Sequence, residues 1–125
     1  MKNGEERRDL PVRTKDFARR TIHLYSAMPR GAVAQVLGKQ LLRSGTSVGA
    51  NYREANSARS KAEFLAKMGD CLKELSESQY WLELMADEKI VKPARLASLL
   101  KETSELIAIF TTIIKKSRSP QDSPS

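Results

Sequence analysis

Apolar residues recur at steps of three and four along most of this chain, the spacing of one face of an α-helix. No stretch reads as a strand. Four such segments are separated by short polar or Pro/Gly-containing breaks. The first helix is predicted over Arg13–Ala27, with Phe17, Thr21, Leu24, Tyr25 and Met28 on one face, Thr14 as its cap and Pro29–Gly31 as its stop. Residues 1–11, charged and ending at Pro11, read as a mobile tail or a docking strap.

The second helix begins near Ala32, and Val33, Leu37, Leu41, Ser44, Val48, Asn51 and Ala55 step along it without a slip. Gly38, Gly45 and Gly49 share the neighbouring stripe. Each costs about 1 kcal/mol relative to alanine in a helix interior. Three on one side imply either a second backbone packed unusually close or a kink, and close packing is the preferred reading. Lys39, Arg43, Ser47, Ala50 and Glu54 form a third stripe. Arg43 and Glu54 lie about 16 Å apart along the axis, too far to pair within one helix. Each therefore needs a partner on another helix, another subunit or a ligand. Interhelical ion pairs and hydrogen bonds are the plainest role for Arg43, Ser47, Asn51 and Glu54.

A polar break at Asn56–Arg59 precedes Ser60 and Glu63, which have the Ser-x-x-Glu spacing of a capping box. The third helix then carries Phe64, Met68, Cys71, Leu75, Ser78, Leu82 and Met85 in alternating steps of four and three, a seam of bundle packing. Glu63 and Lys67 are spaced for an i,i+4 pair. Near the helix end Tyr80, Trp81, Leu82, Leu84 and Met85 are apolar nearly all round, and such a helix must be covered on every side. A subunit interface through Tyr80, Trp81 and Leu84 would cover them. The first helix and the 87–92 loop could do so within one subunit instead. Pro93 opens a fourth helix with Leu96, Leu99, Leu100, Thr103, Leu106, Ile107, Phe110, Ile113 and Ile114 on one stripe, ended favourably by Lys115 and Lys116. Residues 117–125, SRSPQDSPS, should be disordered. The expected fold is all-α: one antiparallel up-down-up-down four-helix bundle over residues 12–116.

Chemistry adds exclusions. With one cysteine, Cys71, no intrachain disulfide can form; with one histidine, His23, neither a metal site nor a cofactor is expected. Cys71 lies on the apolar seam, so it reads as a buried, inert thiol. No paired carboxylates or phosphate-cradling glycine loop suggest an enzyme. No apolar run reaches the roughly 18 residues that span a bilayer, and the N-terminus lacks a signal-peptide core, so a cytoplasmic protein without membrane contact is expected.

Charge alters the picture most. The chain carries a net +7, and its halves differ: residues 1–62 hold 13 Lys/Arg against 5 Asp/Glu, residues 63–125 hold 9 against 10. Such asymmetry points to a polyanion partner. Arg13, Arg19, Arg20, Lys39, Arg53 and Arg59 avoid the apolar stripes and are the candidate RNA- or DNA-binding residues. Few aromatics interleave with them, so base stacking is not supported. The alternative is a scaffold for a protein partner such as a polymerase, its charge merely aiding solubility.

The segment Arg43-Ser-Gly-Thr-Ser-Val-Gly-Ala-Asn-Tyr-Arg-Glu-Ala55, with Ser60-x-x-Glu63-Phe64, Lys73-Glu74 and Tyr80-Trp81-Leu82-Glu83-Leu84, resembles the four helix bundle protein family. That family includes proteins encoded within intervening sequences of bacterial large-subunit ribosomal RNA genes. The similarity spans roughly residues 10–116; its most specific part is Arg43, Ser47, Asn51, Glu54 and Ala55, the last standing where many relatives have glycine. The resemblance implies a ring-forming bundle, typically a homopentamer. It also implies kinship with the accessory variability protein of diversity-generating retroelements, a basic pentamer that partners a reverse transcriptase and binds nucleic acid. Most of the family has no established biochemical role, so fold transfers from it further than function.

Overall fold

Four helices joined by short loops make up nearly all of the computed structural model, which describes the backbone of residues 2–118 and the side chains from Asp9 onward. They are α1 (Lys2–Ser26), α2 (Ala32–Asn56), α3 (Lys61–Asp87) and α4 (Pro93–Ser117), with no strand among the described residues. Loops of this length force each helix to run back along its predecessor, which gives the antiparallel bundle the periodicity predicts. Among neighbouring helices, contact is densest between α2 and α3 and sparsest between α1 and α4. Each helix contributes one stripe to a single core: Phe17, Leu41, Val48, Met68, Leu75, Leu82, Leu96, Leu106 and Phe110 are sealed from solvent.

The start of α1 departs from expectation. The helix reaches back to Lys2, so residues 2–11 are not a separate segment but its first turns, with Pro11 inside it. Leu10 supplies the reason, since it extends the Thr14–Phe17–Thr21 stripe one turn backward and is completely buried. Burying a leucine is worth about 1.5–3 kcal/mol, comparable to the roughly 3 kcal/mol that an interior proline costs. Thr14 is consequently no cap. It is buried mid-helix, and its hydroxyl donates to the Leu10 carbonyl at 2.7 Å. The expected disorder of the C-terminal tail falls mainly on residues 119–125, outside the described residues; Ser117 ends α4.

The second helix is rotated slightly from its predicted phase. Val33 is 62% exposed, while Ala34, Gly38, Leu41, Ser44, Gly45, Val48, Tyr52 and Ala55 form the buried stripe and Asn51 is half-buried. The glycines explain the shift. A β-carbon on Gly38 would come within 2.7 Å of the Tyr25 ring, one on Gly45 within 2.5 Å of the Thr21 methyl, and one on Gly49 within 3.4 Å of the Thr14 carbonyl oxygen. Close approach of α1, rather than a kink, accounts for all three. Buried Tyr52 meets Phe110 of α4 edge to face, ring centroids 5.8 Å apart.

At the start of α3, Ser60 Oγ accepts the Glu63 N–H at 3.0 Å, as the Ser-x-x-Glu spacing requires; the Glu63 carboxylate reaches back to the Arg59 N–H at 3.2 Å. Lys67 forms its ion pair with Glu54 of α2, at 2.6 Å. A different glycine, Gly69, faces open space: a β-carbon added there would meet nothing within 4 Å. Gly69→Ala is therefore expected to stabilise the fold by about 1 kcal/mol through helix propensity alone, read as a rise of a few degrees in the thermal midpoint.

Candidate nucleic-acid interface

The fold separates the six off-stripe cations into two groups. Arg13 is engaged. Its Nε donates to Glu102 Oε2 at 3.0 Å and its Nη2 to Glu102 Oε1 at 2.7 Å and Glu105 Oε1 at 3.1 Å, a forked contact from α1 to α4. The hydrogen bond to Glu102 raises the guanidinium pKa further, although burial opposes it. Arg20 donates to Ser98 Oγ at 2.8 Å across the same seam. These two side chains close the side of the bundle where helix contact is sparsest. Arg19, Lys39, Arg53 and Arg59 are exposed. Among the described residues their side chains have no carboxylate within ion-pair distance.

The charged ends of the Arg43–Glu54 motif are engaged within the subunit. Arg43 reaches Glu74 of α3 at 3.3 Å and also pairs with Glu77, while Glu54 takes Lys67. The Arg43 hydrogen bond holds the Glu77 carboxyl below its ordinary range; burial, and then the charge of Glu77, push Glu74 the other way. Ser47 donates to the Arg43 carbonyl at 2.7 Å within α2. One turn inward, Ser44 and Ser78 share a buried hydroxyl bond at 2.8 Å. The partners that Arg43 and Glu54 require are thus on the neighbouring helix. Cys71 is fully buried, 3.5 Å from the Val48 carbonyl, and burial pushes its thiol up to about 12, so it is protonated at neutral pH.

The outward faces of α1 and α2 enclose a groove of about 420 Å³ lined by Pro11, Thr14, Lys15, Ala18, Thr46, Gly49, Ala50 and Arg53. Its floor is made of small residues because α1 lies so near the glycine stripe of α2. Its walls carry Lys15 from one helix and Arg53 from the other. Lys15 is visible in the sequence as an off-stripe cation, but only packing brings it to the groove that Arg53 also lines.

A second face, between α2 and α3, holds the residues expected at an interface. Tyr80 is 55% exposed, Trp81 and Leu84 are half-buried, and Leu82 and Met85 are buried within the subunit. The core therefore covers the α3 tip on one side and leaves the other open. Gln40, Arg43, Lys73, Ser76 and Glu77 share a cleft with Tyr80 and Trp81. The Trp81 indole nitrogen is buried without an acceptor among the described residues. Val33 and Val36, on the same edge of α2, are also exposed.

Among the described residues no group of three or more His, Cys, Asp or Glu side chains could hold a metal ion, and no helix is long and apolar enough to cross a membrane. A comparison with curated proteins finds no similar sequence. Among solved structures, a protein of unknown function from the S23 ribosomal protein family of Bacteroides thetaiotaomicron is 37% identical. It superposes with a TM-score of 0.80, over 85% of this chain and 98% of its own. Residues 9–112 match the 23S rRNA-intervening sequence protein family, nearly the whole length of the bundle and all of the Arg43–Ala55 motif. The chain belongs to the 23S rRNA-intervening sequence protein family.

Proposed function

We propose that this protein is a non-catalytic, self-assembling bundle that binds nucleic acid through a basic surface on α1 and α2. One observation carries the reading: the ion pairs between helices engage Arg13, Arg43 and Lys67 and leave other exposed cations on this side unpaired. Glu102 and Glu105 engage Arg13, Glu74 and Glu77 engage Arg43, and Glu54 engages Lys67. Lys15, Arg19, Lys39 and Arg53 remain exposed with no ion pair among the described residues. Lys/Arg contacts to phosphates release condensed counterions, so such a surface binds polyanions without reading bases. Assembly would repeat it on one particle, and five copies is the number the family resemblance implies. The α2–α3 face that leaves Val33, Val36 and Tyr80 uncovered is the surface proposed to join the copies.

The test is a salt titration. Affinity for RNA and DNA should fall linearly on a log–log plot against salt, and the double variant Arg19→Glu/Lys39→Glu should weaken binding at least tenfold while its circular dichroism stays unchanged. Absent binding, or binding indifferent to salt, removes this reading. A scaffold that grips only a protein partner would show no binding to either nucleic acid.

A further inference from the structure

Resting on that reading, the geometry points to a more specific ligand mode: we infer that the α1–α2 groove seats one single-stranded phosphodiester backbone running lengthwise between the two helices. The cations form a track rather than a scatter. Lys15 and Arg19 sit one turn apart on α1, about 6 Å along the axis; Lys39 and Arg53 share a face of α2 about 21 Å apart, with Thr46 between them. The helices are antiparallel, with Thr14 against Gly49, Thr21 against Gly45 and Tyr25 against Gly38. Lys15 therefore falls near Gly49 with Arg53 about one turn further along, both lining the groove, while Arg19 and Lys39 stand outside its lining, successively further along the seam. Along the seam, the order is Arg53, Lys15, Arg19, then Lys39.

The floor supports a strand rather than a duplex. Ala18, Thr46, Gly49 and Ala50 project little, so an extended chain can sink between the walls and meet both rims at once. Packed helix axes lie about 8–10 Å apart, which leaves width for one backbone. A duplex, its two backbones held across grooves of about 6 and 12 Å, would ride on the rims and leave the floor untouched. No aromatic side chain lines the groove, so the grip falls on phosphates and is indifferent to base sequence.

Two independent changes probe this. Lys15→Glu/Arg53→Glu reverses both walls, whereas Ala50→Phe fills the floor at an exposed helical position without altering charge. Fluorescence anisotropy with labelled oligo-uridine, oligo-deoxythymidine and a duplex of equal length provides the readout, the first two arms separating RNA from DNA. Wild type should bind both single strands with a salt slope near −3, from about 0.7 per phosphate over four contacts. The charge reversal should halve that slope and cost at least tenfold. Ala50→Phe should cost single-strand affinity at least fivefold while leaving duplex binding within twofold. Salt-dependent wild-type binding that survives either change, or a duplex bound as tightly as the single strands, overturns the groove and leaves the broader reading standing. No binding by wild type overturns both.

Discussion

Gly45→Leu is expected to lower stability by about 2–3 kcal/mol and the thermal midpoint by roughly 10 °C, the largest effect of any single substitution on the α1–α2 seam. Even the first added carbon has nowhere to go, since it would stand 2.5 Å from the Thr21 methyl and 2.9 Å from its hydroxyl oxygen. Thr21 cannot yield. It is β-branched, completely buried, and its hydroxyl is committed to the Ala18 carbonyl at 2.8 Å. The helix-propensity gain of just under 1 kcal/mol on leaving glycine offsets only part of the overpacking. Gly38 offers an internal contrast, because its near neighbours are the Tyr25 ring and the Met28 sulfur, at the ends of side chains that can turn. Thermal denaturation of Gly45→Leu beside Gly69→Ala should show shifts of opposite sign. A Gly45→Leu protein as stable as wild type would mean that α1 does not lie on this stripe.

How far the fold could be read from sequence depends on which term dominates at each position. Helix count, the bundle topology and the start of α3 follow from period and capping, which are local properties; Ser60 and Glu63 announce that start within four residues. The beginning of α1 is not local. Pro11 signals a stop, and only the burial of Leu10 against the rest of the bundle overrides it. In α2 the more hydrophobic Val33 looks like core and Ala34 does not. Close packing prefers the smaller residue, so the buried face extends toward α1 to take in Ala34, Gly38 and Gly45 while Leu41, Ser44, Val48 and Ala55 stay inside. Tyr52 falls off the predicted stripe by the same extension, although its ring fills the core beside Phe110.

The candidate site divides along the same line. That Arg43 and Glu54 need partners elsewhere follows from the rise of one helix; that those partners are Glu74, Glu77 and Lys67 follows only from the register of two. Arg13 looks like a free cation until α4 brings Glu102 and Glu105 to it from some ninety residues away. Charge asymmetry along the chain therefore overstates the available cations: tertiary pairing withdraws Arg13, Arg43 and Lys67 and leaves Lys15, Arg19, Lys39 and Arg53 among the exposed ones.

On the assembly proposed above, Val36→Glu and Tyr80→Glu are each expected to leave single chains of 14.0 kDa. Ser44 faces Ser78, and each turn back along α2 meets one turn onward along α3, so Val33 and Val36 lie beside the last turns of α3, where Tyr80, Trp81 and Leu84 sit. Exposures of 62%, 60% and 55% for Val33, Val36 and Tyr80 leave three large apolar side chains on one side of a single subunit. Tyr80 stands edge-on to Trp81 at 5.0 Å, and the orphaned Trp81 N–H, worth about 1–3 kcal/mol if given an acceptor, adds a reason for this corner to be rearranged by a neighbour. Tyr and Trp are enriched where subunits meet, whereas carboxylates are depleted there. An unpaired carboxylate buried in such a contact costs several kcal/mol, on the order of 100-fold or more in the association constant. Both positions are exposed within the subunit, so the substitutions should spare the fold, and unchanged circular dichroism would show that they do. Sedimentation velocity at micromolar concentration then decides. Wild type sedimenting as a single 14.0 kDa chain, or either variant assembling as wild type does, would place the contact between copies elsewhere or remove it.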